Sequence, residues 1–241
     1  MNKSYFEEYA KDCQKISRVF NHLPDFNLNG VFAAWELGGL FGFDEKRSEF
    51  WLNTAAHMSV SALLGLKIAE FASAELTKKE LSTQDIVESL LVHDWSKRLE
   101  AFVREDGIES VARFEEDHKG TLLKWFSAKV VALTFATGDR GVKVTETRPF
   151  SLGERIIFYS DYCASGSRIV SFRQRLIDLL PHFAADGRYA KVGGYYKERY
   201  GMSYDEKLTE LLLPIEQEFK RLTGHAEENF PVGLIPAEFC V

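Results

Sequence analysis

Three apolar stretches of this chain each carry side chains that apolar surroundings reject. His57 stands in LNTAAHMSVSALLGL, His93 and Asp94 are adjacent in IVESLLVHDWSK, and Asp161 stands in ERIIFYSDYCASGSR. Asp is among the residues least often buried without a partner, and an uncompensated carboxylate in such a setting is costly. A bound cation would answer all four side chains at once. The fold is therefore constrained: segments far apart in the chain must meet where these groups can share a charge.

The periodicity of the same segments is helical. His57, Val60, Leu64, Ile68 and Phe71 recur three or four apart, so one helix presents His57 together with its core side chains. Ser82 followed by Asp85 makes a capping-box start for a second helix. On it Ile86, Leu90 and His93 share a face, and Val87, Leu91 and Asp94 an overlapping one. Ser151 and Glu154 repeat the cap and open a helix on which Ile157, Asp161, Ala164 and Arg168 line up. Residues 3–20 and 119–136 read as further helices, and so does Ser203–Thr223, with Gly224 as its stop and Pro214 kinking or dividing it. Residues 21–45, the segment TGDRGVKVTETRPF and the Gly- and Tyr-rich residues 184–202 read as irregular. In the last of these, KVGGYYKERYG is a packed or substrate-covering loop. With no repeat and no linker, the expectation is an all-α chain, a single helical bundle over residues 1–241.

Composition narrows the partners. Apolar residues make up 45% and aromatics 13%, an ordinary globular balance, and a net charge of −6 argues against a nucleic-acid polymer as partner. Cys13, Cys163 and Cys240 are too few and too scattered for a disulfide framework, which fits a reducing compartment. Cys163 reads as a buried neutral thiol. No run approaches the about 20 apolar residues of a membrane span. A cytoplasmic protein without membrane contact is expected. The prolines of NFPVGLIPAEFCV suggest a tail lying over the bundle, or over a second subunit of a homodimer.

Two imidazoles and two carboxylates form a mixed nitrogen and oxygen set that suits Mn, Fe, Co, Ni or Zn as divalent ions. P-loop, GxGxxG and GxSxG motifs are absent from the sequence.

The order His57, His93-Asp94, Asp161 resembles the HD superfamily of metal-dependent phosphohydrolases, over residues of about 50 to 180, with residues 181–241 as a helical extension. The resemblance implies that His57, His93, Asp94 and Asp161 bind one divalent transition metal. It also implies attack of metal-activated water on a small phosphorylated substrate, a nucleotide or related phosphomonoester. Lys97 falls where many members carry Lys, and with Asp94 it is assigned to the chemistry. Lys97, one turn beyond His93 on a continuing helix, is the candidate cation for the substrate phosphate, and Arg98, Arg155 and Arg168 are weaker ones. His118, in DHKGTLLKW, resembles the third-histidine segment of two-metal members, where it would stand near the substrate phosphate or a secondary ion. The further histidines of such members have no counterpart in VALTFATGDRG, so one metal is expected. Two alternatives are a di-iron oxygenase on the same fold and a non-catalytic nucleotide-binding scaffold.

Overall fold

Helix α3, Leu52–Phe71, is buried on nearly every side, and the other helices are arranged around it. Its sequence permits this because small residues occupy all its faces: Ala55, Ala56, Ser59, Ser61, Ala62 and Gly65 are buried alongside Leu63, Leu64 and Ile68. The serines do not cost unmet hydrogen bonds. Ser59 Oγ donates to the Ala55 carbonyl at 2.8 Å, and Ser61 Oγ to the His57 carbonyl at 2.9 Å. At Gly65 a Cβ would lie 2.2 Å from Leu90 Cδ1, so glycine sets the close approach of the neighbouring helix.

This is a computed structural model, and it describes residues 3–44, 49–103, 114, 117, 120–183, 190–225 and 230–240. Before α3 come α1 (Lys3–Phe20) and α2 (Leu28–Leu37). After it come α4 (Ser73–Lys78), α5 (Thr83–Val92), α6 (Lys97–Val103), α7 (Ala128–Thr134), α8 (Gly138–Thr147) and α9 (Leu152–Tyr162). The chain continues through α10 (Phe172–Phe183), α11 (Ala190–Tyr200) and α12 (Tyr204–Thr223). Strand is confined, among the described residues, to two short antiparallel hairpins, β1 (Phe43–Asp44) with β2 (Glu49–Phe50) and β3 (Ala164–Ser165) with β4 (Arg168–Ile169). The chain is an all-α bundle. None of its described helices is long and apolar enough to cross a membrane.

Helix α3 packs chiefly on α5 and α1, and α9 lies against both α3 and α5. Three of the four candidate ligands thus come from helices, or the end of a helix, that share one core. The C-terminal helix α12 is tied to this core by a buried carboxylate. Glu216, 1% exposed, accepts from the Tyr159 hydroxyl at 3.2 Å and pairs with Arg173 at 2.9 Å and Lys220 at 3.2 Å. The tail also lies over the bundle: Phe230 packs near Tyr159, Phe239 near His22, and Cys240 bridges to Ile169.

Several sequence expectations need correction. Residues 21–45 contain a helix, α2, and the TGDRG segment and the Gly-Tyr segment form α8 and α11. The stretch 119–136 is not one helix: turns follow Leu122, and Ser127 caps α7 by accepting from the Val130 amide. Helix α9 ends at Tyr162, so Ala164 and Arg168 belong to the β3–β4 hairpin and not to the face of Asp161. Helix α12 runs through Pro214, which is exposed, so the carbonyl it leaves without a donor faces water.

The cap of α9 yields a pH prediction. Ser151 and Glu154 form the expected capping box, and Arg148 grips the Glu154 carboxylate through both Nη atoms, at 2.7 and 2.6 Å. That guanidinium is the main reason the Glu154 carboxyl is pulled from 4.5 down to about 2. A carboxyl depressed on folding stabilises the native state above its unfolded pKa, and the contribution is lost as pH falls through the folded value. The window is therefore from 4.5 down to about 2. Because Arg148 is half exposed, Arg148→Ala should remove only about 1–2 kcal/mol at neutral pH. Urea midpoints at about pH 6 and about pH 3 should differ less in the variant than in the parent. Equal differences would mean that the pair contributes nothing.

Candidate metal centre

His57 and Asp161 project from α3 and α9, and His93 follows the last residue of α5. His57 Nε2 lies 3.0 Å from Asp161 Oδ1, and His93 Nε2 lies 3.2 Å from the same oxygen. The ligand atoms of these three side chains all fall within 4.8 Å of one another. Ligands held at about 2.1 Å from a shared ion are themselves separated by about 3.0–3.4 Å when adjacent, so these separations suit one cation.

A hydrogen bond spans the same distance, so distance alone does not discriminate. The second nitrogen of His93 does. His93 Nδ1 lies 2.8 Å from the Leu90 carbonyl oxygen, which only accepts, so Nδ1 carries a hydrogen. In neutral His93 the Nε2 lone pair would then point at a carboxylate oxygen, two acceptors face to face. Either His93 is protonated or a cation stands between them. A backbone carbonyl that fixes the tautomer and leaves Nε2 free is also how ligating histidines are oriented. The donor set therefore fits a divalent ion with imidazole and carboxylate preference.

The electrostatics follow from burial and proximity. Burial pushes His93 down, but Asp161 and Asp94 outweigh it and hold its pKa above 6.5. For His57 burial prevails over Asp161, and its pKa lies below 6.5. Asp161 is held well below the usual carboxylate range: burial raises it, and His93 and His57 more than reverse that.

Asp94 stands beside the three and does not join them. Its Oδ2 is 4.0 Å from His93 Nε2 and 3.2 Å from Lys97 Nζ. Burial alone would raise its pKa, yet Lys97 and His93 bring it to about 2. Lys97 does not continue the helix of His93. α5 stops at Val92, and Lys97 opens α6, reaching Asp94 across a turn. Side-chain exposure rises from 0% at His93 through 15% at Asp94 to 37% at Lys97, which marks the direction from which a ligand would approach.

The remaining candidates fall elsewhere. Arg98 reaches the Gly39 carbonyl at 3.4 Å. Arg155 is held by the Phe150 carbonyl at 2.6 Å and by Glu218 at 2.9 Å. The exposed Arg168 lies on β4. His118 lies outside the described residues. Cys163 is buried, and burial pushes its thiol well above the usual range.

Two contributors were not singled out in the sequence. Met58, next to His57, accepts the Asp94 amide on its sulfur at 3.4 Å, and Trp35 donates its indole N–H to the Leu91 carbonyl at 2.7 Å. Trp35 has a legible signal, since Val31, Ala34 and Trp35 fall at helical spacing.

The raised His93 pKa makes a prediction about metal uptake. Near pH 6.5 the metal-free imidazole is largely protonated, and a cation takes the Nε2 position only from the neutral form. Binding should therefore release about one proton near that pH and fewer as pH rises. Calorimetric titrations in buffers of different ionisation enthalpy measure that number, and uptake without proton release would exclude His93 as a ligand. Comparisons with protein-family models, with curated proteins and with solved structures give no match to this chain, so the chemistry of the site itself carries its interpretation.

Proposed function

We propose that this chain is a divalent-metal-dependent phosphohydrolase of the HD kind, acting on a small phosphorylated molecule such as a nucleotide or related phosphomonoester. The supporting observation is the convergence of His57 Nε2 and His93 Nε2 on Asp161 Oδ1, with the His93 tautomer set by Leu90. On this reading His57, His93 and Asp161 hold one transition ion, with Asp94 at its flank. Such an ion supplies Lewis acidity toward a phosphoryl oxygen and lowers the pKa of a water.

The protein's own groups divide the remaining work. Asp94, with a pKa of about 2, is ionised throughout the physiological range and is too weak a base to carry protons efficiently. Its role is that of a charged hydrogen-bond acceptor beside the ion. It also holds the Lys97 ammonium at the exposed rim, where that charge can meet a phosphate oxygen without itself touching the ion. Arg98 and Arg155 reach structural partners, whereas Lys97 pairs with Asp94 at the rim of the site and is the candidate cation nearest the three ligand side chains.

Elemental analysis should find about one divalent transition ion per chain. Asp94→Asn, which keeps the shape, should abolish hydrolysis across a panel of nucleoside mono- and triphosphates. Lys97→Met should retain the metal while turnover falls by about 100-fold, the usual consequence of losing one group that stabilises charge at the reacting phosphate. Two tightly held irons per chain would overturn the single-metal phosphohydrolase. Full activity in Asp94→Asn would remove that residue from the site.

A further inference from the structure

An α-helix leaves its last four carbonyls without intrahelical donors, and what takes them determines how the chain departs. At the end of α5 two side chains do so. The Leu90 carbonyl accepts from His93 Nδ1 at 2.8 Å, and the Leu91 carbonyl from Trp35 Nε1 at 2.7 Å. The Asp94 amide turns to Met58 Sδ, and the Trp95 amide takes up the Val92 carbonyl at 3.3 Å in a tightened turn. The helix stops at Val92, and His93 and Asp94 occupy the bend.

The outer side of that bend rests on the end of α2. Gly38 caps this helix with its amide on the Ala34 carbonyl at 2.9 Å. A Cβ built at Gly38 would lie 1.9 Å from the Trp95 carbonyl oxygen. The obstacle is backbone, not the movable tip of a side chain, so nothing larger than glycine fits unless the bend itself moves. One residue on, Arg98 spans the gap to the Gly39 carbonyl. Trp35 is fully buried and packs against Phe20 and Phe32.

We infer that Trp35 and Gly38 are positioning residues for the metal centre: they fix where α5 ends, and so where His93, Asp94 and Lys97 stand. Neither touches the ligand atoms. Both act on the main chain between Leu91 and Trp95, Trp35 by claiming a carbonyl and Gly38 by leaving space for another. The inference rests on the proposed metal site, and its consequence is that α2 sets both metal affinity and the placement of the Lys97 charge.

The test uses full-length protein with Co(II) as probe. Gly38→Ala should weaken cobalt binding by about 10- to 100-fold, the range found when groups supporting a metal ligand are altered, and should change the visible cobalt spectrum. Trp35→Phe keeps an aromatic ring in place and removes the indole N–H, together with the volume of the second ring. It should weaken binding by about 10-fold and serves if Gly38→Ala fails to fold. In metal-free protein both variants should shift the His93 imidazole nitrogen resonances, because the bend carrying the ring is displaced. A lowered melting temperature with cobalt affinity, spectrum and His93 resonances all unchanged would make the two residues purely structural and overturn the inference. Wild-type protein that takes up no cobalt would overturn the metal reading. The His93 resonances would then still decide the positioning role, shifted in support of it and unshifted against it.

Discussion

A single carboxylate oxygen, Asp161 Oδ1, is shared by two imidazoles that reach it from different parts of the bundle. Removed from water, such a carboxylate must be compensated, and compensation here requires α3, α5 and α9 to meet at one place. The helices comply because their contact faces are apolar or small: Gly65 admits Leu90, and Ile156, Ile157 and Phe158 bury around Asp161 on α9. Polar convergence and apolar packing are therefore mutually dependent. The core brings the three groups together, and the three groups select which register of the helices is tolerated.

What the sequence made legible was local. Capping boxes at Ser82 and Ser151 depend only on a hydroxyl and a carboxylate three residues apart, and both are formed. Gly224 ends α12 in the left-handed conformation, with φ of 72°. The candidate ligands stand out for a related reason, since a charged side chain within an apolar run is conspicuous without any knowledge of what it meets.

The unread elements share a different feature. α2, α8 and α11 each contain a glycine that resembles a helix breaker and yet is a point of close contact. A Cβ at Gly30 would fall 2.6 Å from Asn27 Nδ2, at Gly141 2.9 Å from Phe158 Cδ2, and at Gly193 2.7 Å from the Phe183 carbonyl oxygen. Their cause lies in neighbours far along the chain, or across a turn, which a propensity argument does not contain. The same holds for Asp94 and Lys97. Both residues were legible, but the bend that separates them from α5 depends on Trp35, far upstream in a segment read as irregular.

The charges at the site complete the connection between fold and proposed chemistry. Without metal, and at pH below its raised pKa, His93 is an imidazolium that with the Lys97 ammonium faces two carboxylates, Asp94 and Asp161, so the group is then close to neutral. His57, its pKa held down by burial, adds no charge. Exchange of the His93 proton for a divalent ion would add one positive charge, at the most buried point, and leave Lys97 unchanged at the rim. The loaded site would then be net positive in a chain whose overall charge is −6. A small phosphorylated molecule would be attracted here more strongly when the ion is bound, which would couple substrate capture to the loaded state.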